Sequence, residues 1–344
     1  MPDPARTTSL KVINTERFST GLRKKAIDVD ARELLITRFT GSKQESDLTE
    51  PSNCGGLGRV RHFRRQTESG WPTNPLPIDP ACRALGSEPG AMLRAQVFQN
   101  AVCNWRCWYC FVDFDLLTGD EKRSEWVTAD QLVERYLDQP DPPPMIDLTG
   151  GQPDLTPEWV PWMMDALEAR GLAETVYLWS DDNLSNDYFW TCLSDAQRRR
   201  IAEYPMYGRV CCFKGYNRDS FAFNTMAEPE LFDRQFELMR RLLELGIDLY
   251  GYVTFTTPDA RAVEHDMRVF VDRLQAIDPL LPLRVVPLKI APFTPVVPRL
   301  DDERRRAIEL QSDAVACWMN ELTHRYSEEQ RGLSITDITL GAAP

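Results

Sequence analysis

The chain has 344 residues, room for one large α/β domain or about two ordinary ones, and 42% of them are hydrophobic, enough for a substantial core. Acidic residues outnumber basic ones 52 to 40, and the net charge of −12 argues against non-specific attraction to nucleic acid without excluding a local basic patch. No run of about 18 apolar residues is present, so no membrane span is expected, and the N-terminal MPDPARTTSL lacks the apolar core of a secretory signal.

The chain therefore reads as cytoplasmic. In that compartment its nine cysteines speak for metal binding or catalysis rather than a disulfide framework.

Residues 1–94 are rich in Pro, Gly, Arg and polar side chains, with short apolar runs such as ELLI at 33–36. They read as a loop-rich N-terminal extension packed on a core, with the stretch 1–25 partly disordered. SNCGGLGRVRHF (52–63) and WPTNPLPIDP (71–80) read as ordered loops. Arg59, Arg61, Arg64 and Arg65 read as a solvated surface stretch.

From residue 95 a strand–helix rhythm sets in. Strands are expected over 95–102, 145–149, 175–179, 209–213, 247–255 and 283–290. Helices are expected over 128–139, with Thr128 as N-cap and Asp130 in the first turn, and over 157–170, closed by Gly171. Further helices are expected over 186–204, over 229–245, closed by Gly246, and over 258–277 and 301–326. Strands alternating with helices imply right-handed βαβ units and a mainly parallel sheet. Six units across 95–326 predict an α/β fold, a partial (β/α)6 TIM-like barrel, with 327–344 as a C-terminal tail. In such folds chemistry gathers at the carboxyl ends of the strands.

Directly after the first of these strands comes CNWRCWYCF (103–111), with Cys103, Cys107 and Cys110. Thiolates are the usual ligands of iron–sulfur clusters, and three of them leave one iron of a four-iron cluster open. Other readings stand beside this one. On a helix the three positions share a face and suit buried core cysteines. A zinc site wants a fourth ligand, and His62, His265 and His324 are not adjacent. A redox pair of Cys107 and Cys110 leaves Cys103 without a purpose.

These residues resemble the signature of the radical S-adenosylmethionine (SAM) superfamily, C-x3-C-x2-C, including the aromatic Tyr109 before the third cysteine. MIDLTGGQPDL (145–155) is similar to the family's strand-two "GGE" motif, whose backbone binds the methionyl amino group of SAM. Gly150, Gly151 and Pro153 fall in it, and Gln152 stands where the family usually has Glu. The resemblance implies a [4Fe–4S] cluster on Cys103, Cys107 and Cys110, SAM chelated to the open iron, and a low-potential electron donor of flavodoxin or ferredoxin type. It implies reductive cleavage of SAM to methionine and a 5′-deoxyadenosyl radical, which abstracts hydrogen from a small-molecule, nucleoside or peptide substrate, in oxidoreductase or lyase chemistry.

The resemblance also puts Phe111 against adenine, and Leu288, in the sixth strand beside Arg284 and Lys289, at a place where family members often contact adenine. Arg284 and Lys289 differ in parity, so at most one points inward. Ser180 and Asp182, at the end of the third strand, suit hydrogen bonds to ribose or substrate. Lys214, after the fourth strand, suits the SAM carboxylate or an anionic substrate. Tyr252, Thr254 and Thr256 share one face of the fifth strand.

Cys211 and Cys212 face opposite sides of a strand and read as core. Cys54 sits in a tight loop and reads as structural. Cys82, Cys192 and Cys317 show no paired spacing, so a single cluster is expected. An activating enzyme that installs a glycyl radical on a partner protein is the alternative: FKGYN (213–217) followed by 221–225 is similar to activase-like members. A non-catalytic sensor that binds iron–sulfur and SAM is a third reading. The long extension, able to close the barrel mouth, favours direct modification of a substrate.

Overall fold

The computed structural model describes residues 12–341. Helix α1 (Thr15–Arg23) opens the chain, its N-terminus capped by the Asn14 side chain, which accepts from the Arg17 N–H at 2.8 Å. The disorder expected over 1–25 is thus replaced by order from residue 12 onward, and the part of that expectation covering 1–11 lies outside the described residues. Strands β1 (Ile27–Asp28), β2 (Glu33–Thr37) and β3 (Gly58–Arg64) follow, then α2 (Ile78–Ala84).

The alternation then begins. It runs β4 (Met92–Gln99), β5 (Ser124–Thr128), α3 (Ala129–Leu137), β6 (Met145–Thr149), α4 (Trp159–Glu168) and β7 (Tyr177–Asp182). It continues with α5 (Tyr188–Thr191), α6 (Asp195–Glu203), β8 (Tyr207–Phe213), α7 (Arg218–Thr225), α8 (Leu231–Glu244) and β9 (Leu249–Val253). Helix α9 (Val263–Gln275), β10 (Val285–Pro287), α10 (Asp302–Arg325) and α11 (Glu328–Gly332) complete it.

The main sheet has the order β10-β9-β8-β7-β6-β4-β3, and the small sheet β1-β2-β5 is antiparallel. The strands β4, β6, β7, β8, β9 and β10 are parallel and stand in chain order. That is the partial (β/α)6 TIM-like barrel expected from the alternation. The seventh strand, β3, pairs antiparallel with β4.

Thr128 caps α3 with a full capping box to Gln131. The outer face of the sheet is sealed by helices. Phe232, Phe236 and Met239 recur at helical spacing on α8 and are buried, and Phe236 meets Phe213 of β8 with ring centroids 5.0 Å apart. Each such side chain contributes about 1.5–3 kcal/mol by leaving water.

Several boundaries differ from expectation. GLGRVRHF was expected in a loop, yet 58–64 is strand β3. Its period-2 pattern is masked because Arg59 and Arg61 take the inward positions where apolar residues would signal a strand. Arg59 is 9% exposed, so the solvated reading of this stretch fails there. The last residues of WPTNPLPIDP open α2. The helix expected over 186–204 breaks at Cys192–Leu193, where Ser194 starts a fresh capping box with Gln197. The sixth strand is short, because Leu281–Arg284 coils into a 3-10 turn before it.

The extension also spans the open side of the barrel. After β3, Trp71 Nε1 donates to the Pro287 carbonyl at 3.3 Å and Asn74 Nδ2 to the Tyr252 hydroxyl at 3.1 Å. The Tyr252 hydroxyl in turn donates to the Leu76 carbonyl at 3.1 Å. Segment 65–77 therefore bridges one sheet edge, β3, to the other, β9 and β10.

Candidate active site

The cysteine loop leaves the carboxyl end of β4 and is tied down on every side. Asn104 Nδ2 donates to Ser19 Oγ of α1 at 2.9 Å and to Ser185 Oγ at 2.8 Å, and Trp105 Nε1 donates to Thr15 Oγ1 at 3.1 Å. The amides of Arg106 and Trp108 donate to the carbonyls of Thr225 and Asn224 at the end of α7, both at 3.2 Å. Arg299 donates to the carbonyls of Cys110 and Val112 at 2.7 and 3.0 Å, with its guanidinium 3.6 Å over the Phe114 ring. The N-terminal extension is thus part of the loop's scaffold, a role its composition did not signal.

Cys103 is buried and Cys107 and Cys110 are half-buried. Burial raises all three thiols, Cys107 to about 12. Cys110 and Cys103 further oppose ionisation of Cys107, and Cys103 opposes that of Cys110. The thiols therefore sit within one electrostatic neighbourhood. Lys214 faces it. Burial works against the Lys214 charge, but Cys212, Tyr109, Cys107 and Cys103 around it raise its pKa above the usual lysine value. Asn183 Nδ2 comes within 3.9 Å of Cys103 Sγ.

Among the described residues no three His, Cys, Asp or Glu side chains stand close enough to enclose a single metal ion. The three thiols nevertheless act on one another's ionisation, and a polynuclear cluster is wider than one ion. Three soft sulfur donors on one loop, beside a cation that offsets thiolate charge, fit an iron–sulfur group. His62 is occupied by Glu50 at 2.7 Å, and His265 and His324 are exposed on α9 and α10.

The GGQ turn packs directly on the start of this loop. A Cβ on Gly151 would lie 2.3 Å from the Val102 carbonyl oxygen and 2.5 Å from that of Asn100, and φ is +48°. Only glycine permits that approach. The Gln152 amide donates to the same Val102 carbonyl at 2.7 Å.

The Gln152 side chain is a clamp: Nε2 donates to Asp182 Oδ1 at 2.7 Å, and Oε1 accepts from the Asn183 amide at 3.0 Å. Asp182 also accepts from Arg209 at 2.8 Å, and Arg209 pairs with Asp154 as well. One guanidinium already serves two carboxylates here, so glutamate at 152 would add a third charge with no donor to give. Gln152→Glu should cost about 1–3 kcal/mol of stability, read as a lower urea midpoint than that of the wild type.

The inward and outward faces sort the remaining candidates. Register pairs Asp147 with Val97 and Trp179, Val97 with Arg59, and Cys212 with Tyr252, and these residues line the barrel interior. Tyr177, Trp179 and Tyr250 form an aromatic floor, with Trp179 and Tyr250 centroids 5.7 Å apart. Lys214, Tyr109 and Thr254 lie towards the carboxyl end, the Tyr109 hydroxyl 3.0 Å from Thr254 Oγ1.

Leu288 follows β10 and is half-buried, its amide bonded to the Val253 carbonyl at 2.8 Å. Phe111 carries the Arg59 guanidinium 5.6 Å over its ring. Pro153 is buried at the start of a 3-10 turn. Gly150 sits against the Gln99 side chain at φ +63°.

Ser180 and Asp182 are placed differently from expectation. Strand parity turns them to the helix side, where Ser180 Oγ meets the Tyr207 hydroxyl at 2.6 Å and Asp182 joins Arg209. The residue that reaches the thiols from this strand end is Asn183. Arg284 is spent on Asp248 at 2.8 Å, and Lys289 pairs with Glu68. Cys54 is buried and raised to about 12, its thiol 3.5 Å from the Arg135 carbonyl. Sequence reasoning missed Asp147, Asp181 and Arg59. The signal available was a charged residue at an inward parity position.

Fold and site together define an open α/β barrel with a three-thiol loop at the carboxyl end of its first strand. No protein-family model matches the sequence, nor does any curated protein. Solved structures of Streptococcus suis SuiB match part of the chain. The complex with the precursor peptide SuiA is 14% identical with a TM-score of 0.37, over 53% of this chain and 36% of that one. The complex with S-adenosylmethionine is 16% identical with a TM-score of 0.36, over 52% and 36%. The chain spans little more than a third of the structures it matches, and a likeness at this level carries no weight for the site. Among the described residues no helix is long and apolar enough to cross a membrane.

Proposed function

We propose that this protein is a radical SAM enzyme whose Cys103, Cys107 and Cys110 hold a [4Fe–4S] cluster. The observation that carries the reading is the grouping of three thiols around Lys214 on a tied-down loop, with the GGQ turn packed against the same loop. Bound together, such a cluster and SAM supply reductive cleavage of the sulfonium and a hydrogen-abstracting carbon radical, with the electron coming from a flavodoxin- or ferredoxin-type donor.

The chain's own residues have the other tasks. Lys214 offers a cation to thiolate or carboxylate charge. The backbone of Gly150, Gly151 and Gln152 forms the ledge for the methionyl group. Phe111, Leu288 and Thr254 line the cofactor's side of the barrel mouth. Segment 65–77 excludes water and stray hydrogen donors from the interior.

Direct modification of a substrate is favoured over glycyl-radical activation, because the bridging segment narrows the barrel's side between β3 and β9–β10. The FKGYN stretch is engaged locally: Asn217 caps α7 and the Lys214 carbonyl accepts from Asn224 at 2.9 Å.

The test is anaerobic reconstitution with iron and sulfide, then incubation with SAM and a low-potential reductant. 5′-Deoxyadenosine is expected by mass spectrometry even without substrate. Its absence from a protein that has taken up the cluster would leave only the sensor reading.

A further inference from the structure

The barrel interior holds an arginine and an aspartate that make no hydrogen bond or ion pair with each other. Arg59 of β3 is 9% exposed, its Nε has no hydrogen-bond partner, and its guanidinium makes no ion pair among the described residues. It rests between the rings of Phe39 and Phe111, at 5.7 and 5.6 Å. Asp147 of β6 is fully buried, and among the described residues neither carboxylate oxygen has a hydrogen-bond partner. The nearest cation to Asp147 is Arg61, at 4.0 Å. Native structures give nearly all buried polar atoms a hydrogen-bond partner.

Geometry says what would complete the pair. Val97 of β4 is the register partner of both Arg59 and Asp147, so the two charged residues flank one small side chain on the inner face. Two strand spacings put their Cα atoms about 10 Å apart across Val97, and this gap between the two residues is crossed by the Arg61 side chain, which reaches Asp147 from β3. Asp181, held by Thr149, borders the gap on the β7 side of Asp147.

Burial and the Asp181 charge push the Asp147 carboxyl upward, while burial and Arg61 pull the Arg59 guanidinium down to about 9. Arg61 and Arg59 offset part of the shift at Asp147, and Asp147 and Asp181 part of that at Arg59. The gap adjoins the thiol loop, because Phe111 lies under Arg59 and Lys214 acts on Asp181.

We propose that this gap is a substrate subsite for a free α-amino acid, whose carboxylate is bound by Arg59 and whose ammonium is bound by Asp147. The proposal rests on the radical SAM reading for the reaction but not for the binding. A zwitterion gives both groups a hydrogen-bonding partner at once, whereas a simple anion or cation serves one of them. SAM carries the same head group, so the two sources must be separated.

The experiment uses the anaerobically reconstituted full-length protein. The common L-amino acids are screened by saturation-transfer NMR, and any that bind are titrated calorimetrically beside their N-acetyl and methyl-ester derivatives, with and without saturating SAM. At least one amino acid is expected to bind, with either blocked derivative at least 10-fold weaker and with binding retained in SAM. Arg59→Met should abolish discrimination against the methyl ester, and Asp147→Asn should abolish discrimination against the N-acetyl form.

Because these charges serve a ligand, both variants should melt higher than the wild type without ligand, by about 2 °C or more. Four results would each overturn the proposal. These are no binding by any amino acid, indifference to blocking either end, displacement by SAM, and lower melting temperatures for both variants. If a variant does not fold, the selectivity of the wild-type protein for unblocked over blocked amino acids still decides. If no cluster forms, the enzyme reading fails, while the titrations on the same chain still decide the subsite.

Discussion

Serine in place of Cys103, Cys107 or Cys110 is expected to remove the iron and the visible absorbance of the reconstituted protein. Loss of a group that merely orients a ligand costs 10- to 100-fold in metal affinity, so loss of a ligand itself should exceed about 100-fold. Two controls sharpen the expectation. Cys211 sits on the opposite face of β8 from Cys212 and is fully buried, and Cys54 is packed under α3 against the Arg135 carbonyl. Cys54→Ser and Cys211→Ser should keep the wild-type iron content. Iron per chain, measured after desalting, checks the series. Equal loss in all five variants would mean that the thiols act as packing rather than as ligands.

The largest effect on stability is expected at Arg209. This guanidinium is fully buried on the helix side of the sheet and joins Asp154 to Asp182, its Cζ 5.1 Å from the Phe189 ring centroid. Arg209→Met leaves two carboxylates without their cation, which should cost about 3–5 kcal/mol.

The cost depends on pH. Burial raises the Asp154 carboxyl, Arg209 pulls it down, and the nearby Asp182 pushes it up again, leaving it at about 7. Among the described residues one Asp154 oxygen lacks a hydrogen-bond partner, as a proton-bearing carboxyl would allow. A folded-state pKa above the unfolded value of about 4 means that the folded protein keeps a proton the unfolded chain has released. That contribution to stability is complete below about pH 4 and is lost as pH rises through about 7. Wild-type stability should therefore fall between about pH 4 and pH 7, Asp154→Asn should flatten the fall, and the penalty of Arg209→Met should grow with pH. Urea melts at the two ends of that range test all three.

Much of the barrel was legible because its strands are apolar runs closed by glycine or polar residues. MIDLT, YGRVCCF and LYGYV could hardly be anything else, and Thr128 and Gly246 marked helix ends by ordinary capping chemistry. The cysteine spacing located the candidate site because three thiols on one short loop need no tertiary knowledge.

What was not legible depends on contacts far apart in sequence. β3 hid because arginines occupy its inner face, and they are tolerated only where a barrel interior receives them. Ser180 and Asp182 seemed suited to a ligand because they end a strand. Their parity, which one residue of register decides, turns them to Arg209 and Tyr207 instead. Gln152 stood only as a departure from the family's usual Glu, and its reason lies far along the chain at Asp182. The structural part of the extension was hidden for the same cause: Ser19 holds Asn104 and Thr15 holds Trp105, pairs that only the folded chain brings together.

Electron paramagnetic resonance of the reduced, reconstituted protein tests the central reading most directly. A cluster on three cysteines with one open iron predicts the signal of a reduced [4Fe–4S] centre, shifted in g-values when SAM is added and lost in Cys107→Ser. A protein that takes up no iron, or one whose signal is indifferent to SAM, would contradict it.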